Sequence, residues 1–263
     1  MSIYSKEHEK FLKKIKRQKR LIYVNQIIII CLFFILWEIL SKLNVINTFL
    51  FSSPSNIIKT IINLINSNNF FTHVLITVKE LSISFILSLA LGFFIATILW
   101  WNEFLAKIID PYLTILNSLP KVALGPLIII WVGASSSSII TMSLMISLFI
   151  TIINLYTSFT STDKNYILLL KSFKANKFQI YTKVILNANL KNILSTIKIN
   201  ISMNLIGIIM GELLVSKNGL GYLIMYGSQV FNINLVIVAV FILGIISAIL
   251  YYFINYFEHK IDY

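Results

Sequence analysis

The sequence predicts an all-α membrane protein with six transmembrane helices. Three observations predict it. Of 263 residues, 57% are apolar and only 12% charged, about half the charged share of an average soluble domain. The apolar residues gather in blocks long enough for a spanning helix, which needs roughly 20 residues. These blocks also lack the polar face that a soluble helix shows every turn or so.

The elements follow in order. A basic arm, 1–20, precedes span one at 21–41. Leu21–Leu40 exceeds a signal-peptide core, and Ser41-Lys42-Leu43-Asn44 offers no small-x-small cleavage site, so the span is expected to be retained. In the polar stretch 42–73, Ser52-Ser53-Pro54-Ser55 is a helix-start signal that predicts a short external helix at 55–66. Span two, 74–100, ends in Trp100-Trp101, a pair suited to the membrane interface. Asp110-Pro111 opens span three, 111–131, in which Pro120 and Pro126 flank Lys121. A proline frees a carbonyl and bends a helix, so the segment is either a broken helix facing a cavity or a kinked packing helix with a snorkelling lysine. The loop Gly133–Ser138 leads to span four, 139–160, and a long basic region, 161–191, to span five, 192–214. There Gly207 and Gly211 have the spacing that lets helices approach closely. Lys217-Asn218-Gly219 reads as a turn, 220–233 as a short helix and loop at the membrane surface, and 235–257 as span six. No internal repeat is visible.

The net charge of +12 invites a nucleic-acid reading, but its distribution opposes one. Eight of the 22 basic residues fall between Lys6 and Arg20 and six more between Lys164 and Lys191. Clusters flanking membrane spans fit the positive-inside rule and anionic lipid. Six spans put the arm, Lys107, the 161–191 cluster and Lys260 on one side, and Lys42, Lys59 and Lys217 on the other. Both termini and 161–191 are therefore expected in the cytoplasm of a plasma-membrane protein. Cys31, the single cysteine, leaves no intramolecular disulfide. His8, His73 and His259 fall near aqueous ends without a ligand cluster, so no metal site is predicted. No cofactor is predicted, and no phosphate-binding glycine loop or nucleophile–base pair is present. Glu38 lies where it could meet headgroups.

Between Asp163 and Asn192 the apolar residues Ile167, Leu170, Phe173, Phe178, Tyr181 and Ile185 recur at the spacing of short amphipathic helices. Lys171, Lys174, Lys177 and Lys183 supply the polar side. The segment is either an interfacial helix on anionic lipid or a docking helix for a cytoplasmic partner.

Lys171-Ser-Phe-Lys-Ala-Asn-Lys-Phe-Gln-Ile-Tyr-Thr-Lys-Val-Ile-Leu186 resembles the cytoplasmic coupling-loop signature of binding-protein-dependent ABC importer permeases. Three further segments look like the nitrate/sulfonate/taurine branch of that family. They are Ser53-Pro54-Ser55, the run from Leu119-Pro120-Lys121 through Gly125-Pro126 to Trp131-Val132-Gly133, and Gly219-Leu-Gly-Tyr222. All four occur in order, and the resemblance covers the chain from about 35 onward. Departures stand at Leu168 for an acidic residue, Leu169-Leu170 for two alanines, Lys174 for a glycine and Asn187 for a proline. A positive φ costs a lysine roughly 1–2 kcal/mol. Either the helices here join more continuously, or the partner ATPase has a differently shaped cleft.

The resemblance implies the type I importer permease fold, with cytoplasmic coupling helices. It implies a non-catalytic membrane subunit, a second permease copy (a homodimer), two cytoplasmic ATP-binding subunits and an external substrate-binding protein. Leu170, Lys171, Phe173, Lys174, Ala175, Asn176, Lys177 and Phe178 would form the ATPase-coupling surface. Lys121, Asn204 and Glu212 are the candidates for the translocation pathway of a small solute, for which a lysine suits a sulfonate-like anion. The rival function is an autonomous secondary transporter or channel, which predicts ionisable relays and paired discontinuous helices. A membrane-anchoring protein without transport is a further rival, separated by whether 161–191 binds an ATPase.

Overall fold

The computed structural model describes residues 6–67 and 69–261, so residues 1–5 of the basic arm lie outside the described residues. Among the described residues there are no strands, and five helices are long and apolar enough to cross a membrane, or six if one bent pair is counted as a single span. The chain divides into two units, up to Asn63 and from Leu64 on.

In the first unit, arm and span one form one helix, α1, Lys6–Lys42. It ends in a left-handed turn at Asn44 (φ 55°), where Val45 N–H reaches back to the carbonyl of Leu40 at 3.1 Å, a common helix stop that asparagine tolerates. After a single turn, α2 (Thr48–Phe51), comes α3, Pro54–Asn66. Proline suits the first helical position because its missing N–H has no helical partner there. The Ser53 hydroxyl caps α3 by accepting from Asn56 N–H at 3.2 Å, and Glu38 accepts from Ser55 N–H at 3.1 Å. A helix therefore stands where the Ser-Pro signal predicts one.

The second unit is built on α4 (Phe70–Trp101), α7 (Ser136–Thr160) and α11 (Leu190–Val215), with α7 packed against both others. Without water to expel, helices in lipid associate by close packing of small residues and by interhelical hydrogen bonds. The buried face of α4 is such a seam: Ser84, Ser88, Gly92 and Ala96, four apart. A Cβ on Gly92 would stand 2.6 Å from the Thr151 methyl, one on Gly211 2.9 Å from the Ile139 side chain, and one on Gly207 would collide with the backbone of Ser143. The two glycines of span five thus make the helix contact their spacing predicts. The chain continues into α12 (Leu220–Gln229), which packs on α13 (Ile233–Ile261).

Of the two forms read for span three from the sequence, the structure shows the broken one. Its first piece, α5, begins earlier, at Glu103, because Asn102 caps it by accepting from Leu105 N–H at 3.1 Å; Pro111 lies inside it. Leu119 is extended (ψ 142°), the conformation favoured before a proline. A tight turn, Lys121–Leu124, then leads into α6, Gly125–Val132, with Pro126 in its first turn, and the two pieces meet at 83°. Two prolines six residues apart produce a broken segment.

Gly207→Ala is expected to destabilise the chain by about 1–3 kcal/mol, the range for overpacking, although alanine favours a helix. Gly244→Ala, where a Cβ meets nothing within 4 Å, is expected to be neutral or stabilising. Thermal unfolding of both variants in detergent checks this.

Candidate functional site

The region 161–191 folds as α8 (Lys164–Ser172), a turn, α9 (Lys177–Ile180), one wide turn (Tyr181–Ile185) and α10 (Leu186–Ala188). The turn keeps the left-handed geometry despite the lysine. Lys174 has φ 57°, with Lys174 N–H on the Lys171 carbonyl at 2.9 Å and Ala175 N–H on the Leu170 carbonyl at 3.0 Å. This pair of bonds closes the end of a helix. The helices are thus not joined more continuously, and Lys174 carries the backbone strain. Asn176 starts α9 through a reciprocal cap: it accepts from Gln179 N–H and its own N–H donates to Gln179 Oε1, both at 2.8 Å.

The inner face of this segment is tied to the ends of α4 and α7. Ile180, Tyr181 and Ile185 are buried with Ala96, Leu155 and Phe159, and Leu170 and Ala175 pack against that cluster. Tyr181 is its centre. Its hydroxyl shares a 2.6 Å hydrogen bond with Thr97, and its ring lies 5.0 Å from Trp100 and 5.8 Å from Phe159. Burial pushes the Tyr181 phenol above its usual range, opposed by the bond to Thr97. Lys177 donates to the Trp101 carbonyl at 2.5 Å and lies 5.6 Å from both indole rings, a cation–π contact. The tryptophans read as an interface belt therefore also hold this segment.

The outer face exposes apolar side chains among lysines. Phe173 is 74% exposed and Phe178 63%, with Leu168, Leu169 and Tyr166 exposed nearby in sequence and Lys171 and Lys174 beside them. The eight residues singled out from the sequence thus divide. Phe173, Phe178, Lys171, Lys174 and Asn176 are exposed, Leu170 and Ala175 pack inward, and Lys177 is pinned to α4.

The three pathway candidates lie apart. Lys121, half-buried at the bend of the broken segment, donates to Asn117 Oδ1 at 2.9 Å and lies 5.7 Å from the Phe149 ring. Among the described residues it has no carboxylate partner. Asn204 is fully buried between α4, α7 and α11. Its Oδ1 accepts from Ser84 (2.5 Å), Ser143 (2.9 Å) and Ser147 (3.1 Å), and its Nδ2 donates to Ser88 (2.9 Å) and Asn200 (2.8 Å). Asn200 in turn donates to Thr151 at 2.7 Å. Glu212, 1% exposed, is wrapped by the start of α12. Thr77 donates to its Oε1 and Gly221 N–H to its Oε2, both at 2.6 Å, while Leu220 N–H donates to Thr77 at 2.8 Å and Gly219 N–H to His73 Nδ1 at 3.0 Å. Gly219 (φ 110°) has no room for a Cβ, which would strike the Glu212 carboxylate. The segment Gly219-Leu-Gly-Tyr222 is shaped to enclose that group.

Sequence reading missed Thr77, Ser84 and Ser88, which join these networks from α4, and Glu80, which is buried on the same helix. Their signal was present as polar or small residues every three to four positions through an otherwise apolar span.

Lys174→Gly is expected to stabilise the chain by about 1 kcal/mol by relieving the left-handed lysine, and Asn176→Ala to cost about 1 kcal/mol through the lost cap. Thermal unfolding in detergent measures both.

Comparison with known proteins places this geometry among transport systems. The family model described as binding-protein-dependent transport system inner membrane component matches residues 88–263. The formylaminopyrimidine transport permease protein ThiX of Halalkalibacterium halodurans is 29% identical over 188 residues, covering 72% of this chain and 74% of its own. The SsuC permease of Bacillus subtilis, whose name assigns it to aliphatic sulfonates, is 25% identical over 97% of this chain and 93% of its own. Among solved structures, an inward-facing MetNI methionine ABC transporter matches 72% of this chain and 94% of the matched chain, with a TM-score of 0.64 at 16% identity. That likeness establishes the fold, which is of the type I ABC importer permease kind.

Proposed function

Because the chain belongs to the family of binding-protein-dependent transport system inner membrane components, and is an ABC importer permease subunit by its relatives, we propose that its 161–191 region couples it to ATP hydrolysed on separate subunits. One observation carries this reading: a segment whose inner face is locked to α4 and α7 through Tyr181 exposes the apolar side chains Phe173 and Phe178. Exposed apolar patches of this kind mark interaction sites. A patch fixed rigidly to two spanning helices passes movement of its partner directly into the bundle.

Two cytoplasmic ATP-binding subunits would dock on this face, one on each copy of a permease homodimer. An external binding protein would deliver the solute, and both chain termini would lie in the cytoplasm. ATP-driven closure of the subunits can shift the permease only by contacting its two states differently. Lys121 is our candidate for direct contact with a small, sulfonate-like anion, since it is a cation at a helix break without a carboxylate partner among the described residues. The relative whose name assigns it to aliphatic sulfonates supports the same class. Asn204 and Glu212 would serve the pathway by holding α4, α7, α11 and α12 in register.

Co-purification in mild detergent tests the coupling. An ATPase is expected with the wild-type chain and lost when Phe173 and Phe178 both become aspartate, with the permease itself still folded. Recovery of the chain alone, even after cross-linking, would replace this reading with transport independent of ATP. Lys121→Gln is expected to lower uptake of a sulfonate at least tenfold while leaving ATPase binding intact.

A further inference from the structure

Among the described residues, the only buried side-chain atoms without a hydrogen-bond partner are the two carboxyl oxygens of Glu80. Glu80 is 3% exposed, and a buried polar group left unpaired calls for an explanation. It lies one turn along α4 from Thr77, whose hydroxyl donates to Glu212, so both carboxyls are buried on the face where α4 meets α11. Two ionised carboxylates side by side in a membrane interior repel one another and lose their hydration, so such a pair needs a counter-charge or a proton.

No cation is placed to supply the charge. His73 accepts the Gly219 N–H at Nδ1, and its ring stacks on Tyr222 at 5.8 Å. A cationic imidazole has no lone pair with which to accept, so His73 is neutral here. Lys79 is exposed and leaves α4 on a different face. Towards Glu80, α7 brings the hydroxyl of Ser136, and α12 brings backbone N–H groups to Thr77 and Glu212. Among the described residues no three or more His, Cys, Asp or Glu are grouped to hold a metal ion.

We propose that Glu80 and Glu212 form a buried proton-binding site. Glu80 is held as the neutral acid, and its O–H donates to the Glu212 carboxylate, which also takes the Thr77 O–H and the Gly221 N–H. The pair then carries one proton and one negative charge. The same proton completes the joint that fastens α4 to α11 and to the start of α12. This inference stands independently of what the permease carries.

The test is infrared spectroscopy of the full chain, purified in mild detergent near neutral pH, with and without isotope-labelled glutamate. Glu38, Glu103 and Glu258 are each paired with a lysine, so they should not obscure the signal. A protonated-carboxyl stretch that shifts on labelling, disappears in Glu80→Gln and persists in Glu103→Gln is expected. The shift in the wild-type chain is informative even if a variant fails to fold. Absence of a glutamic-acid band in the wild type, or its survival in Glu80→Gln, would overturn the proposal. A thermal stability that rises with added sodium, with no acid band, would assign the site to a metal cation and overturn it equally.

Discussion

Every polar group placed inside the second unit has to find its partner within the protein, because lipid offers none. The packing of α4, α7 and α11 follows from that constraint. Asn204 can spend all its hydrogen-bonding capacity only if Ser84 and Ser88 of α4 and Ser143 and Ser147 of α7 reach it together. Those side chains are short, so the helices must come close, and Gly92, Gly207 and Gly211 remove the atoms that would prevent it. Small residues and polar residues are therefore two halves of one arrangement. Sliding a helix by one turn would leave several buried hydroxyls unpaired at once, which fixes the register of the bundle more sharply than apolar contact would.

The ends of the bundle apply the same chemistry differently. At one end, the turn before α12 folds its backbone N–H groups onto Glu212 and Thr77, so a loop becomes part of the core. At the other, the 161–191 segment is fastened by Tyr181, Lys177 and the tryptophans of α4. Its apolar cluster is continuous with α4 and α7, while the opposite side leaves two phenylalanines uncovered. A segment held this way behaves as an extension of the spanning helices. That is the mechanical requirement for coupling a cytoplasmic partner to a membrane pathway.

The broken third span is built differently from the unbroken helices. Its bend places Lys121 against a side-chain amide, the Ile146 carbonyl and an aromatic face rather than a carboxylate, whereas the network around Asn204 is saturated.

The sequence by itself determined the elements. Length and apolarity identify spanning helices because the cost of moving a segment into lipid sums residue by residue. The Ser-Pro start of α3, the amphipathic rhythm of 161–191 and the glycine pair of α11 are local in the same sense. What tertiary structure decided was every relation between distant residues. Glu80 reads in sequence as one acid at the edge of an apolar block; beside Glu212, 132 positions away, it becomes half of a buried pair. Lys174 reads as a misfit for a left-handed turn, but Leu170, Ala175 and Tyr181, packed on α4 and α7, hold the turn closed around it. The prolines announce a break in span three, yet its 83° angle depends on what each half packs against. Transfer into lipid is additive along the chain, whereas hydrogen bonds and packing depend on which helix lies opposite, and only the assembled fold supplies that.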